Sequence, residues 1–127
     1  MILRATLALA LLATPAAAEC LRYDAAAELD GRIHRRIVPG PPNYESITQG
    51  DRAETIFVLE LAQPVCVPAD PRDPAASPAV AQVRRVQLVL PDNRRRLREG
   101  QRFRAAGRLF HAYAGHHRTD ILIEVSR

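Results

Sequence analysis

Apolar and polar positions alternate with a period of two along most of the chain, and five stretches carry the alternation long enough to predict strands. In Ala27–Val38, Leu29, Gly31, Ile33 and Ile37 share one parity, and Arg35 breaks the face, so a bulge or bend is expected there. Thr55–Leu61 is β-branched and aromatic on both parities, which predicts a central strand. Val83–Leu90 places Val86, Leu88 and Leu90 inward and Arg85, Gln87 and Val89 outward. Arg102–Ala112 sets Phe103, Ala105, Gly107 and Leu109 against Arg102, Arg104 and Arg108, and Ile121–Val125 alternates in the same way.

Between the third and fourth strands, Pro91–Glu99 predicts a short helix, capped by Asp92, stopped by Gly100, with Leu97 plugging the bottom of a barrel. The order strand, strand, strand, short helix, strand, strand predicts an all-β domain with one short helix, a five-stranded Greek-key barrel of the oligonucleotide/oligosaccharide-binding (OB) type. A five-stranded meander or open sandwich is the rival architecture. Gly31, Gly100 and Gly107 fall where so small a barrel needs bends or close backbone approach.

Two connections stand out. Pro39–Glu54 contains three prolines and two glycines, too many for a regular element, yet Tyr44 and Ile47 can pack it down. Pro68–Pro78 holds four prolines and no large apolar residue, which predicts a mobile loop.

The first 18 of the 127 residues stand apart from this pattern. One early arginine, an apolar run over Ala5–Ala13 and the small residues Ala16-Ala17-Ala18 predict a secretory signal peptide, leaving residues 19–127 as one domain. The run is too short to cross a bilayer and no later segment approaches the required length, so no membrane span is expected. A periplasmic or secreted location follows. It changes the reading of the two cysteines: Cys20 and Cys66 are expected to form a disulfide, since export is where such bridges form.

Composition adds one constraint. The chain has no lysine, and nine arginines against two acids crowd Arg84–Arg108. Guanidinium groups suit anionic polymers, whereas strand parity makes most of these arginines a solvated face. Export and a small aromatic supply, three tyrosines, three phenylalanines and no tryptophan, argue against nucleic acid as a partner.

Candidate chemistry gathers in His111–Asp120. His111 continues the inward column of its strand and His117 shares parity with Ile121, so both are expected at the open end of the barrel. His111, His116, His117 and Asp120 could supply ligands for zinc, copper or nickel, with Glu45 or Asp51 completing the set. The competing reading makes His116 to Asp120 a brace between loops, one histidine holding Asn43–Ser46 and Asp120 accepting backbone amides. Hydrolysis has less support: Ser46 lacks a G-x-S-x-G context, and Glu45, Asp51 and Glu54 are carboxylates of unknown separation. The expected binding surface comprises Asn43, Tyr44, Glu45, Asp51, Glu54, His111 and His117.

Several motifs together, G-P-P-N-Y-E-S-I at Gly40–Ile47 with Gly50-Asp51 and Glu54, P-V-C at Pro64–Cys66, V-Q-L at Val86–Leu88, G-R-L-F-H-A at Gly107–Ala112 and G-H-H-R-T-D-I-L at Gly115–Leu122, resemble a family of small exported bacterial proteins. It is known as domain of unknown function 4431. The resemblance implies a bacterial cell-envelope location and a small β-barrel, with the Pro39–Glu54 loop and the His111–Asp120 region as hallmarks. It brings no activity. The expected role is a non-catalytic binding or accessory module for an envelope protein or glycan, with metal binding as the alternative.

Overall fold

In the computed structural model, residues 1–2, 8–12, 19–91 and 96–126 are described. Six strands form: β1 (Glu19–Cys20), β2 (Ala26–Pro39), β3 (Ala53–Val67), β4 (Val80–Val89), β5 (Arg102–His111) and β6 (Ile121–Val125). The sheet runs β1-β3-β2-β5-β6-β4, and a further β3–β4 pairing closes β2 to β6 into a five-stranded barrel. All neighbours in the barrel are antiparallel except β4 and β6. This is the order and sense of the OB barrel that the strand pattern predicted.

The inward parity of each strand builds the core. Leu29, Ile33, Leu59, Val65, Val86, Ala105, Leu109, Ile121, Ile123 and Val125 are buried together, and Leu97 joins them as expected. Gly107 makes closure possible: a Cβ there would stand 1.9 Å from the Glu124 carbonyl oxygen of β6, so only hydrogen fits.

At its described end, the short helix expected over Pro91–Glu99 is absent. Residues 92–95, including the Asp92 cap, lie outside the described residues; Arg96–Arg98 are irregular and Gly100 turns at φ 77°. Among the described residues the one helical turn is a 3-10 turn at Ile47–Gln49, inside the long loop.

Strand limits also moved. β3 continues six residues beyond Leu61 because Pro64 falls at a shift in the β3–β4 register between Glu60 and Val65, where no ladder donor is required of it. Cys20 lies opposite Cys66 in the parallel β1–β3 pair, and the two form the expected disulfide. The Pro68–Pro78 loop, expected to be mobile, is laced internally by Asp70 N–H to the Ser77 carbonyl and Ser77 N–H to the Asp73 carbonyl, and Tyr23 Oη donates to the Pro78 carbonyl at 2.6 Å.

Candidate functional site

Beyond Arg32, β2 leaves β5 and pairs with β3 alone, up to Pro39. The barrel's outer face there becomes a second, smaller core of Val38, Ile56 and Val58. Ile37, expected inward, is 59 % exposed, and Val38 is buried instead. Register extends this outer face across the sheet: Val58 lies opposite Gln87, Gln87 opposite Leu122, and Leu122 opposite Phe110. An apolar outer face needs a cover, and two loops supply it: residues 40–52 and residues 112–120.

Gln87 anchors the second loop. Its side chain is buried, with Nε2 donating to the His116 carbonyl at 2.9 Å and Oε1 accepting from Arg118 N–H at 2.6 Å. Its own N–H donates to Thr119 Oγ1, which in turn donates to the Ile121 carbonyl. Arg118 then reaches the end of β2, donating to the Pro39 carbonyl, with its guanidinium carbon 5.9 Å from the Tyr44 ring centroid. Arg118 Nε is buried without a hydrogen-bond partner among the described residues.

Asp51 organises the first loop from within. Its carboxylate accepts from the backbone N–H groups of Asn43, Glu45 and Ser46 at 2.8–2.9 Å. These amides, Ser46 and Glu45 foremost, hold the Asp51 carboxyl below the usual carboxylate range. A lowered folded value means that Asp51 stabilises the protein above the unfolded carboxyl value of about 4 and that this contribution is lost as pH falls through the folded value. Asp51→Asn should therefore lower the melting temperature at pH 6 and flatten its fall below about pH 4; thermal unfolding at a series of pH values checks this, and parallel wild-type and variant curves would refute it.

The loops meet at Tyr44, Glu54 and His116. His116 Nδ1 lies 2.8 Å and 2.9 Å from the two Glu54 carboxylate oxygens, its Nε2 lies 3.2 Å from Tyr44 Oη, and the Tyr44 and His116 rings pack edge to face. Nδ1 thus serves Glu54 and Nε2 the tyrosine hydroxyl, so both ring nitrogens are used. Tyr44 takes a left-handed conformation at φ 58°, and Gly115 is what lets its ring lie close, since a Cβ at 115 would come within 2.7 Å of it.

The four expected metal ligands do not form a ligand cluster among the described residues. His117 Nδ1 accepts from the Tyr113 and Ala114 amides, so its proton sits on Nε2, and its ring packs against Phe110 and Tyr113. Burial, then the neighbouring His116, pushes the His117 value down. It therefore faces the outer cover rather than the barrel mouth, a correction to its expected place. His111 Nδ1 lies 3.1 Å from the Ala112 carbonyl, and Asp120 gives its main-chain carbonyl to Ala112 N–H. Adjacent His116 and His117 diverge because each serves a different side of the loop. Among the described residues no group of three or more His, Cys, Asp or Glu side chains stands where it could hold a metal ion.

The brace between loops is therefore what the geometry contains. Tyr44, Asp51 and Glu54 belong to it; Asn43 and Glu45 contribute main-chain amides while their side chains are exposed. The amide-gathering role expected of Asp120 falls to Asp51. Gln87 escaped sequence reasoning because its outward parity implied solvent; the signal that could have found it is its place in V-Q-L beside a loop in need of an anchor.

Beside the brace, an open groove of about 990 Å3 runs between Ala53–Phe57 of β3 and Gln87–Leu90, with Arg35, Arg96, Leu97 and His116 at its rim.

Residues 85–127 match the family described as domain of unknown function 4431. The match takes in β5, β6, the second loop and the second half of β4, hence Gln87, His116, Arg118 and Thr119. Tyr44, Asp51 and Glu54, the first loop's half of the brace, precede it. The V-Q-L, G-R-L-F-H-A and G-H-H-R-T-D-I-L motifs lie inside the domain of unknown function; G-P-P-N-Y-E-S-I and P-V-C lie outside. No curated protein and no solved structure matches the chain.

Proposed function

We propose that the protein is a non-catalytic binding module of the bacterial cell envelope, exported with loss of residues 1–18, which takes an acidic envelope glycan into the groove beside the braced loops. The observation that carries this reading is the brace itself. Tyr44, Glu54 and His116 tie two loops together at the rim of a concave surface, which is how a barrel presents a preformed site. In OB barrels the corresponding loops and the face of the second and third barrel strands, here β3 and β4, take oligosaccharides. Arg35 and Arg96 supply forks for carboxylates, and half-buried Phe57 supplies apolar area for a sugar face.

Export is supported by the leader pattern and by the disulfide, which persists in oxidising compartments. Among the described residues of the leader, Leu9, Leu11 and Leu12 are 83–93 % exposed and take no part in the core. Among the described residues no helix is long and apolar enough to cross a membrane.

The test is calorimetric titration of residues 19–127 with soluble muropeptides, whose lactyl and peptide carboxylates match the groove's arginines. Saturable binding is expected, weakened about tenfold or more in Arg35→Ala/Arg96→Ala with an unchanged melting curve. Absence of saturable binding, with an envelope protein instead crosslinking at a photoreactive residue placed at Thr55, would replace the glycan by a protein partner.

A further inference from the structure

A second concave surface lies on the barrel wall, sharing no residue with the groove beside the loops. It measures about 470 Å3 and is lined by β2, β3 and β5 around Gly31. Register fixes an unusual row of charges there. Arg32 of β2 stands opposite Arg102 of β5 on one side and Glu60 of β3 on the other, and Glu60 stands opposite Arg85 of β4. Side chains directly opposite on one face have Cβ atoms about 5 Å apart, and like charges in that position destabilise a sheet.

The neighbouring carboxylates are engaged elsewhere. Arg104 holds Asp30 through two contacts of 2.9 Å and 3.3 Å, and Arg85 lies 3.5 Å from Glu60. Asp30 also feels the charge of Arg102, but more weakly than its hydrogen bond to Arg104. Arg32 spends one nitrogen on the Gly100 carbonyl at 3.1 Å. Among the described residues neither Arg32 nor Arg102 forms an ion pair. Main-chain register thus roots two arginine side chains opposite each other on one face of the sheet, and both line a concavity floored by the bare backbone of Gly31.

We infer that Arg32 and Arg102 form a binding site for an oxyanion of the phosphate or sulfate class. Each guanidinium presents a planar fork that fits two oxygens of such a group, and an anion between them converts a repulsive pair into a bridged one. The site has volume to spare beyond a free inorganic ion, and the bare Gly31 backbone with the Ala62 methyl, which shares the face of Glu60, leaves room for a carbon skeleton carrying the anion. A sugar phosphate should therefore bind more tightly than inorganic phosphate.

The experiment uses residues 19–127 with the disulfide intact, inorganic phosphate and glucose 1-phosphate as probes, and sodium chloride at matched ionic strength as control. Melting temperature should rise saturably with either phosphate but not with chloride, because a ligand bound only by the folded state stabilises it. Arg102→Gln should melt higher than wild type in the absence of phosphate, through relief of the repulsion, and should bind phosphate about tenfold more weakly. Arg84→Gln, at an exposed β4 position outside the concavity, should retain wild-type affinity. Arg32→Gln gives the same comparison should Arg102→Gln fold poorly. A thermal shift that follows ionic strength alone, or one equal in wild type and both concavity variants, would overturn the site; equal affinity for the two phosphates would remove the carbon skeleton from it.

Discussion

Loss of the Cys20–Cys66 disulfide is expected to lower the unfolding free energy by about 4 kcal/mol. The bridge spans 46 residues, and cross-linking a loop of that length removes roughly this much from the unfolded chain's entropy on the chain-entropy model. The bridge also fixes β1 to the barrel. β1 is two exposed residues, tied to β3 by a short parallel pairing and by the Leu21 N–H to Cys66 carbonyl bond. A domain of this size has about 5–15 kcal/mol in total, so the loss removes a large share of it. Urea unfolding of wild type against Cys20→Ser/Cys66→Ser, and of wild type with and without reductant, measures the effect. A change under about 1 kcal/mol would mean that the unfolded chain is already compact around this loop. The same dependence ties fold to compartment, since a reducing environment would leave the barrel without its principal cross-link.

The barrel was legible because its inward columns are almost purely apolar. Leu29 and Ile33, Val86 and Leu88, Ala105 and Leu109, and Ile121 and Ile123 obey strand parity and are buried. Parity alone also placed Gly107 and Gly31 where backbones pass too close for a Cβ. The failures share one cause. Period two distinguishes two faces of a strand but assumes that the outer face meets water, and here the outer face of β2, β3, β4 and β6 near the loops meets protein. Ile37 and Val38 exchange roles for that reason, and Gln87 and Leu122 are buried on the side that parity assigned to solvent. His117 was misplaced by the same assumption: it follows Phe110 over the outer cover instead of Ile121 into the barrel. That a histidine would hold the Asn43–Ser46 segment was a reading the residues supported; that it is His116, acting through Tyr44 and Glu54, required the fold, because 62 residues separate Glu54 from His116.

Gln87→Ala should cost about 2–4 kcal/mol, more than its truncation in a neutral setting would suggest, and should loosen both loops at once. The substitution leaves Arg118 N–H without its acceptor and the His116 carbonyl without its donor, beneath a loop that shields both from water. It also opens a void between Val58 and Leu122 on the outer face. The two residues released are the ones that reach the first loop: His116 to Tyr44 and Glu54, Arg118 to the Pro39 carbonyl. Damage at one buried amide should therefore appear as faster hydrogen exchange at Arg118 and at the Asn43, Glu45 and Ser46 amides gathered by Asp51, well before global unfolding. Val86→Ala, a neighbouring truncation that faces the barrel interior, serves as the comparison: it should lower stability without singling out those amides. Equal patterns of exchange in the two variants would show that the loops are held by the barrel as a whole and not by Gln87. The selective pattern would identify Gln87 as the point through which the barrel fixes the rim of its groove, and would predict that muropeptide binding is lost in Gln87→Ala at temperatures where the barrel remains folded.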